Sequence, residues 1–221
     1  MANEMLTSLL DAGFVAIARG LPEEKLADVA QALYEGGVRF FELTYDQRRD
    51  DAQAYLARSV KSVYDRLGDK LTLGVGTVMT ADQVRTAHDA GAKFVVAPNT
   101  DVAVVETGKK LGLLTSPGAL TPTEIAFAHS IGADIVKLFP AGSMGFDYIR
   151  NVRGPLNYIP LMATGGVNPD NISAFFEAGI QVVGTFPTVI PPADVAADRY
   201  ENITRLAWLH VEAVQKAKAQ K

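Results

Sequence analysis

A lysine lies in the middle of one of the most apolar stretches of the chain. In the sequence DIVKLFP, residues 134–140, Lys137 is flanked by Val136 and Leu138, and the pattern predicts a strand buried on both faces. An amine held among apolar groups loses the hydration of its charged form, so its pKa falls and the neutral nucleophile becomes available to attack carbonyl carbon. The competing interpretation is a structural lysine held in an ion pair.

A carboxylate has a similar position in the segment FFELTYD, residues 40–46. Alternation along this predicted strand places Glu42 on the same face as Phe40 and Thr44, so a second ionisable group is expected to point inward. A carboxylate beside an amine can move the protons that Schiff-base formation and hydrolysis require. Glu42 could also simply neutralise Lys137. We favour the catalytic interpretation because two such residues interrupt buried strands.

Glycine-containing segments suggest where an anion binds. In ATGGVNPDNI, residues 163–172, Gly165 and Gly166 precede a predicted helix beginning near Asn168, and backbone amides at such a place bind phosphate. Thr185, at the end of VVGTF, is expected to add a hydroxyl. Thr77, in GVGTV, offers a hydroxyl to a small anion. The alternative is that both segments are ordinary turns.

Composition narrows the classes of function. The chain has 221 residues, a formal net charge of -4, no cysteine and three histidines. This charge disfavours nucleic acid as a partner, and the lack of cysteine excludes disulfides, thiolate nucleophiles and zinc ribbons. We therefore expect no metal and no cofactor. No run approaches the roughly 20 apolar residues of a membrane span, so we expect a cytoplasmic protein with no membrane partner.

Eight short apolar runs alternate with amphipathic segments along the chain. The runs predict strands at residues 14–19, 39–45, 71–77, 94–98, 113–118, 134–140, 160–166 and 182–186. Four of the helical segments between them end at glycine and lead directly into a strand.

This repeated unit predicts one α/β domain over residues 1–221, a (β/α)8 TIM barrel. A doubly wound open sheet is the alternative, but its Gly-x-Gly-x-x-Gly signature does not follow the first strand. Active sites of barrels form at the carboxyl ends of the strands, where the polar residues described above lie.

Together these motifs resemble the 2-keto-3-deoxy-6-phosphogluconate / 4-hydroxy-2-oxoglutarate aldolase family. The resemblance spans about residues 5–210 and rests on FELT, GVGTVMTADQV, AGAKFVVAPN, TSPGALTPTEI, GADIVKLFPA and PLMATGGV, in that order. It implies a homotrimeric class I aldolase in which Lys137 forms a Schiff base with a keto acid and Glu42 transfers protons. The substrate-binding residues that it implies are Arg19, Thr77, Pro98, Phe139, Thr164, Gly165, Gly166 and Thr185.

The chain departs from the family pattern at one position. Members that act on phosphogluconate commonly have Glu-Val-Thr-x-Arg on the second strand, whereas this chain has Asp46 at the arginine position. Asp46 is therefore a candidate specificity residue.

The implied reaction is cleavage of a 2-keto-3-deoxy sugar acid, or of 4-hydroxy-2-oxoglutarate, to pyruvate and an aldehyde. Two alternatives are a phosphate-binding barrel isomerase, epimerase or synthase, and a catalytically silent sugar-acid-binding barrel. Neither gives Lys137 and Glu42 a role together.

Overall fold

The computed structural model describes residues 2–220, in which nine parallel strands alternate with helices. The strands are β1 Phe14–Ala18, β2 Phe40–Thr44, β3 Thr72–Gly76, β4 Phe94–Val96, β5 Leu114–Ser116, β6 Gly118–Ala119, β7 Val136–Leu138, β8 Leu161–Thr164 and β9 Val182–Thr185. The helices are α1 Ala2–Ala12, α2 Leu26–Glu35, α3 Ala52–Leu67, α4 Ala81–Asp89, α5 Val102–Lys110, α6 Pro122–Ser130, α7 Phe146–Arg153, α8 Ile172–Glu177, α9 Pro192–Ala196 and α10 Tyr200–Ala219.

The sheet closes on itself, which confirms the barrel and overturns the open-sheet alternative. Its strand order is β5-β4-β3-β2-β1-β9-β8-β7-β6, so β1 pairs with both β2 and β9. The two outermost strands of this order, β5 and β6, are separated in sequence by Pro117 alone. The chain itself therefore joins the ends of the sheet.

The predicted fifth strand is divided at Pro117, so the structure has nine strands rather than eight. Proline has no backbone N–H and cannot donate to a ladder. Gly118 lies so close to the segment that follows β4 that a Cβ there would be 2.3 Å from the carbonyl carbon and oxygen of Pro98. The proline and this close approach bend the strand at the mouth of the barrel.

Alternate residues of each strand face two different cores. The interior cluster includes Val15, Ile17, Phe40 and Ile135, whereas Val136 and other residues of opposite phase pack in the larger cluster beneath the helices. The phase of β2 and β7 therefore directs Glu42 and Lys137 into the barrel, as alternation predicted.

Helix α1 covers the end of the barrel at which the strands begin. Its Leu9 is buried in the interior cluster, and Met5 and Leu6 pack against the same cluster. The apolar interior is thus closed at this end. The carboxyl ends of the strands form the open face.

Threonine side chains cap the start of two helices, and a third helix begins later than predicted. The side chains of Thr80 and Thr121 cap α4 and α6, and Thr121 forms a capping box with Glu124. The helix predicted to begin near Asn168 begins instead at Ile172. Asn168 lies in a preceding turn, in which its backbone N–H donates to the side chain of Asn171 at 2.9 Å.

Candidate active site

A cleft of about 310 Å³ opens at the carboxyl ends of the strands and contains most of the predicted site. It is lined by Ile17, Arg19, Glu42, Thr77, Pro98, Lys137, Phe139, Thr164, Gly165 and Phe186. These residues come from all around the barrel, and its ionisable members are Arg19, Glu42 and Lys137. The volume is sufficient for a small organic acid.

Lys137 is the buried nucleophile candidate. Its side chain is 5% exposed, and Nζ lies 4.9 Å from the centroid of the Phe139 ring. Burial lowers the pKa of Lys137, the negative charge of Glu42 raises it, and the positive charge of Arg19 lowers it further. Burial is the largest of these effects, so the neutral amine is favoured at lower pH than in an exposed lysine.

Glu42 is buried even more completely, at 1% exposure. Burial raises the pKa of its carboxyl, while Lys137 and Arg19 lower it. Its Oε2 is a buried oxygen to which no described residue donates a hydrogen bond. Since buried polar atoms in native proteins are usually paired, this oxygen has acceptor capacity that the described residues do not use.

Thr77 and Arg19 form a polar edge to the cleft. Nη2 of Arg19 donates to Oγ1 of Thr77 at 3.0 Å. A guanidinium and a hydroxyl held together in this way suit a carboxylate, which accepts hydrogen bonds from both. Pro98 lies beside them in the lining, where it contributes apolar surface.

Thr164 is a second polar group that faces the cleft without a protein partner. It is 7% exposed, and its Oγ1 is buried without a hydrogen bond from any described residue. The hydroxyl therefore has hydrogen-bonding capacity that the described residues do not use, and a contact with the substrate remains a prediction for this position.

The glycine-rich turn is placed where it was predicted, with one correction. Gly165 lines the cleft, and Gly165 and Gly166 have φ values of +90° and +80°. Their backbone thus adopts a conformation that favours glycine. The following helix has only six residues, from Ile172 to Glu177, and begins too late to stand directly behind these amides.

The hydroxyl of Thr185 does not face the cleft, so this part of the prediction is wrong. Thr185 has the same phase on β9 as Val183, which packs in the outer cluster. Its Oγ1 donates to the carbonyl oxygen of Val167 at 2.8 Å and lies 2.8 Å from Oγ1 of Thr188. The hydroxyl is therefore already engaged inside the protein.

Comparison with known proteins places the chain in a family. A family model described as KDPG and KHG aldolase matches residues 7–206. The chain belongs to this aldolase family.

Individual relatives of the aldolase agree with that assignment. It is similar to a probable 2-dehydro-3-deoxy-6-phosphogalactonate aldolase of Rhizobium meliloti, at 32% identity over 195 residues, covering 87% of this chain and 89% of that protein. It is also similar to the 2-dehydro-3-deoxy-6-phosphogalactonate aldolase of Escherichia coli K12, at 31% identity over 172 residues, covering 77% and 80%. A solved structure described as native KDPGal has a TM-score of 0.83 at 26% identity, covering 93% of this chain and 96% of that chain.

Asp46 of this aldolase lies beside the Lys137 cleft and not in its lining. It lines an adjoining cleft of about 280 Å³ that shares Arg19 and Thr77 with the first. Arg48 donates to both carboxylate oxygens of Asp46, with Nε and Nη2 each at 3.0 Å. This pairing lowers the pKa of Asp46 to about 2.

Two features of the aldolase site were not predicted from the sequence. Gln47 and Gln83 lie behind Thr77 and hydrogen-bond to each other, at 2.8 Å from Nε2 of Gln83 to Oε1 of Gln47. Ile17 and Phe186 supply apolar lining. The inward phase of β1 was the available signal for Ile17, whereas nothing in the sequence paired the two glutamines.

Two structural features of residues 2–220 concern metals and membranes. In this part of the aldolase, no three His, Asp or Glu residues are grouped so that they could hold a metal ion. None of its helices is both long enough and apolar enough to cross a membrane.

Proposed function

We propose that this aldolase cleaves a 2-keto-3-deoxy sugar acid to pyruvate and an aldehyde through a Schiff base on Lys137. The observation that carries the proposal is the burial of Lys137 and Glu42 on the inner face of one cleft, at 5% and 1% exposure. Burial of a lysine costs stability, and the same burial lowers its pKa and makes the neutral, nucleophilic amine available.

The neutral Nζ of Lys137 attacks C2 of the keto acid, and the carbinolamine loses water to give a protonated imine. The electrons of the C3–C4 bond then move toward the imine nitrogen and leave an enamine, while the C4 hydroxyl proton is lost and an aldehyde departs. Protonation at C3 and addition of water release pyruvate and restore the lysine. One water is released and one consumed, so the reaction is balanced.

Glu42 is suited to the proton transfers in this sequence. Burial raises the pKa of its carboxyl, so the protonated form persists to higher pH than in an exposed glutamate and the group can donate as well as accept a proton. Its unpartnered Oε2 leaves an acceptor position for the hydroxyl of the carbinolamine or of C4.

The remaining cleft residues bind the two ends of the substrate. Arg19 and Thr77 receive the carboxylate next to the keto group, and Phe139 packs beside the imine, 4.9 Å from Nζ of Lys137. The amides of Gly165 and Gly166 receive a phosphate at the far end. Two relatives named as phosphogalactonate aldolases support a phosphorylated substrate.

Reduction with borohydride in the presence of pyruvate tests the proposal directly. We expect a stable pyruvyl adduct on Lys137, none in Lys137→Ala, and an unchanged adduct in Lys93→Ala. Lys93 is the matched control because it is an exposed lysine near the opposite end of the barrel. An adduct of unchanged yield in Lys137→Ala would refute the assignment.

Pyruvate release identifies the substrate. The assay compares 2-keto-3-deoxy-6-phosphogluconate and 2-keto-3-deoxy-6-phosphogalactonate with the same two acids without phosphate and with 4-hydroxy-2-oxoglutarate. We expect the phosphorylated acids to give the highest kcat/KM and activity to persist in EDTA. Loss of activity in EDTA that a divalent ion restores would favour a metal-stabilised enolate instead.

Three further parts of the sequence prediction are retained as proposals: a homotrimer, a cytoplasmic location, and a single domain that includes the whole chain. Sedimentation equilibrium measures the first and cell fractionation the second. A single cooperative unfolding transition would support the third.

A further inference from the structure

The turn that presents Thr77 to the cleft has an unusual backbone conformation. Thr77 has a φ of +57°, and Asp198 is the other non-glycine residue with positive φ in the described part of the chain. A β-branched residue is disfavoured in this region because its Cβ meets neighbouring backbone atoms. Such a conformation persists where surrounding contacts hold it.

Two glutamine side chains supply those contacts. Nε2 of Gln47 donates to the carbonyl oxygen of Thr77 at 2.7 Å, and Nε2 of Gln83 donates to Oε1 of Gln47 at 2.8 Å. Oε1 of Gln83 in turn accepts from the backbone N–H of Met79 at 2.7 Å. The two glutamines thus hold the turn by hydrogen bonds at the carbonyl of Thr77 and at the backbone N–H of Met79.

The conformation of this turn places the Thr77 hydroxyl beside Arg19. Oγ1 of Thr77 accepts a hydrogen bond from Nη2 of Arg19, so the hydroxyl proton is free to be donated to an anion in the cleft. If the turn relaxed to a negative φ, the hydroxyl would leave this position beside Arg19. Gln83 is 8% exposed, which shields its hydrogen bonds from water.

We propose that Gln47 and Gln83 are positioning residues that fix Thr77 for recognition of the substrate carboxylate. This inference rests on the proposed function, because it takes Thr77 and Arg19 as the carboxylate site. Neither glutamine lines the Lys137 cleft. Both therefore act through Thr77 on substrate affinity and leave the covalent step at Lys137 intact.

Gln47→Glu tests the inference because glutamate keeps the shape of glutamine and the acceptor for Gln83 but loses the donor to Thr77. The measurement is the rate of borohydride trapping as a function of pyruvate concentration. We expect the half-saturating concentration to rise severalfold, as loss of one hydrogen bond implies. The limiting rate should stay within about twofold, since a positioning residue alters affinity more than chemistry.

Gln53→Glu is the matched control, since it adds the same charge at an exposed glutamine of α3. It should leave the half-saturating concentration unchanged.

Gln83→Glu is the second test variant: it keeps the acceptor for Met79 but loses the donor to Gln47. It should raise the half-saturating concentration as well, and the double variant should add little, because the two amides act as a unit.

Unchanged half-saturation in both test variants, or a fall in limiting rate alone, would overturn the inference while leaving the aldolase proposal standing. If the wild-type protein itself forms no adduct with pyruvate, the proposed function fails and this inference fails with it.

Discussion

Oε1 of Glu42 lies 1.7 Å from the position that a Cβ on Gly76 would take. Gly76 ends β3, and Glu42 on the adjacent β2 pairs in register with Gly74, so the carboxylate leans toward the open end of the barrel over Gly76. The missing side chain at position 76 is thus what makes room for the carboxylate. The glycine contributes space to the site rather than a functional group.

Substitution of Gly76 by alanine should displace the Glu42 carboxylate. We expect Gly76→Ala to lower kcat at least about tenfold, because a proton-transfer group contributes roughly a hundredfold or more when correctly placed. The free energy of unfolding should fall by about 1–3 kcal/mol, as expected for overpacking. Steady-state kinetics and denaturant unfolding provide the two measurements.

Gly154→Ala is the control for that experiment. A Cβ there would be at ordinary contact distance, 3.5 Å from the carbonyl oxygen of Asn151. It should retain wild-type kcat. A wild-type kcat in Gly76→Ala would contradict the role assigned to the space above Gly76.

The pH dependence of imine formation should move in opposite directions when the two charges near Lys137 are removed. Arg19 lowers the pKa of Lys137, so Arg19→Gln should raise that pKa. The rising limb of the plot of borohydride trapping rate against pH should then move to higher pH. Ionised Glu42 raises the same pKa, so Glu42→Gln should shift the limb to lower pH. Rates are measured with saturating pyruvate to remove differences in binding.

Arg85→Gln, at an exposed position on α4, should leave the limb unchanged. Shifts of the same sign in the two test variants would show that charge near Lys137 does not control its protonation.

Inorganic phosphate should inhibit the enzyme competitively by binding the amides of Gly165 and Gly166. A Cβ on Gly166 would be strained at its φ of +80° and would lie 3.1 Å from Cα of Gly142. We therefore expect Gly166→Ala to raise the phosphate inhibition constant severalfold. Inhibition kinetics at constant ionic strength measure the change.

Gly112→Ala separates backbone strain from phosphate binding. Gly112 has a φ of +74° and no atom within 4 Å of its Cβ position. Both alanine variants should lose about 1–2 kcal/mol of unfolding free energy from the left-handed conformation. Equal inhibition constants in the two variants would place the phosphate elsewhere.

Asp46 should influence which acid is preferred. Asp46→Arg replaces the partner of Arg48 with a cation in the cleft that adjoins Arg19. Arginine pairs with carboxylate and phosphate, which aspartate repels. We expect kcat/KM for 2-keto-3-deoxy-6-phosphogluconate to rise severalfold relative to acids that present a hydroxyl at this position.

The comparison is made as the ratio of kcat/KM values for the two kinds of substrate in wild type and variant. Arg49→Gln, at a neighbouring arginine that pairs with Asp51, is the control for altered loop charge. Ratios equal within error for wild type and Asp46→Arg would show that Asp46 does not set specificity.

The sequence determined the barrel and the inward direction of its two key residues. Repeated helix–glycine–strand units predict parallel strands. A charged residue within an otherwise apolar strand stands out in the sequence and can be identified as a candidate functional residue. Lys137 and Glu42 were found in this way because a charged side chain among apolar neighbours is visible without knowing the partners of either strand.

Tertiary structure alone decided the direction of Thr185 and the pairing of Gln47 with Gln83. In VVGTF both faces are apolar, since the helices cover one face and the interior the other, so alternation gives no phase from which to orient Thr185. Gln47 and Gln83 are 36 residues apart and meet because two successive barrel units lie side by side. The positive φ of Thr77 likewise depends on those contacts, because local preference alone would select the opposite sign.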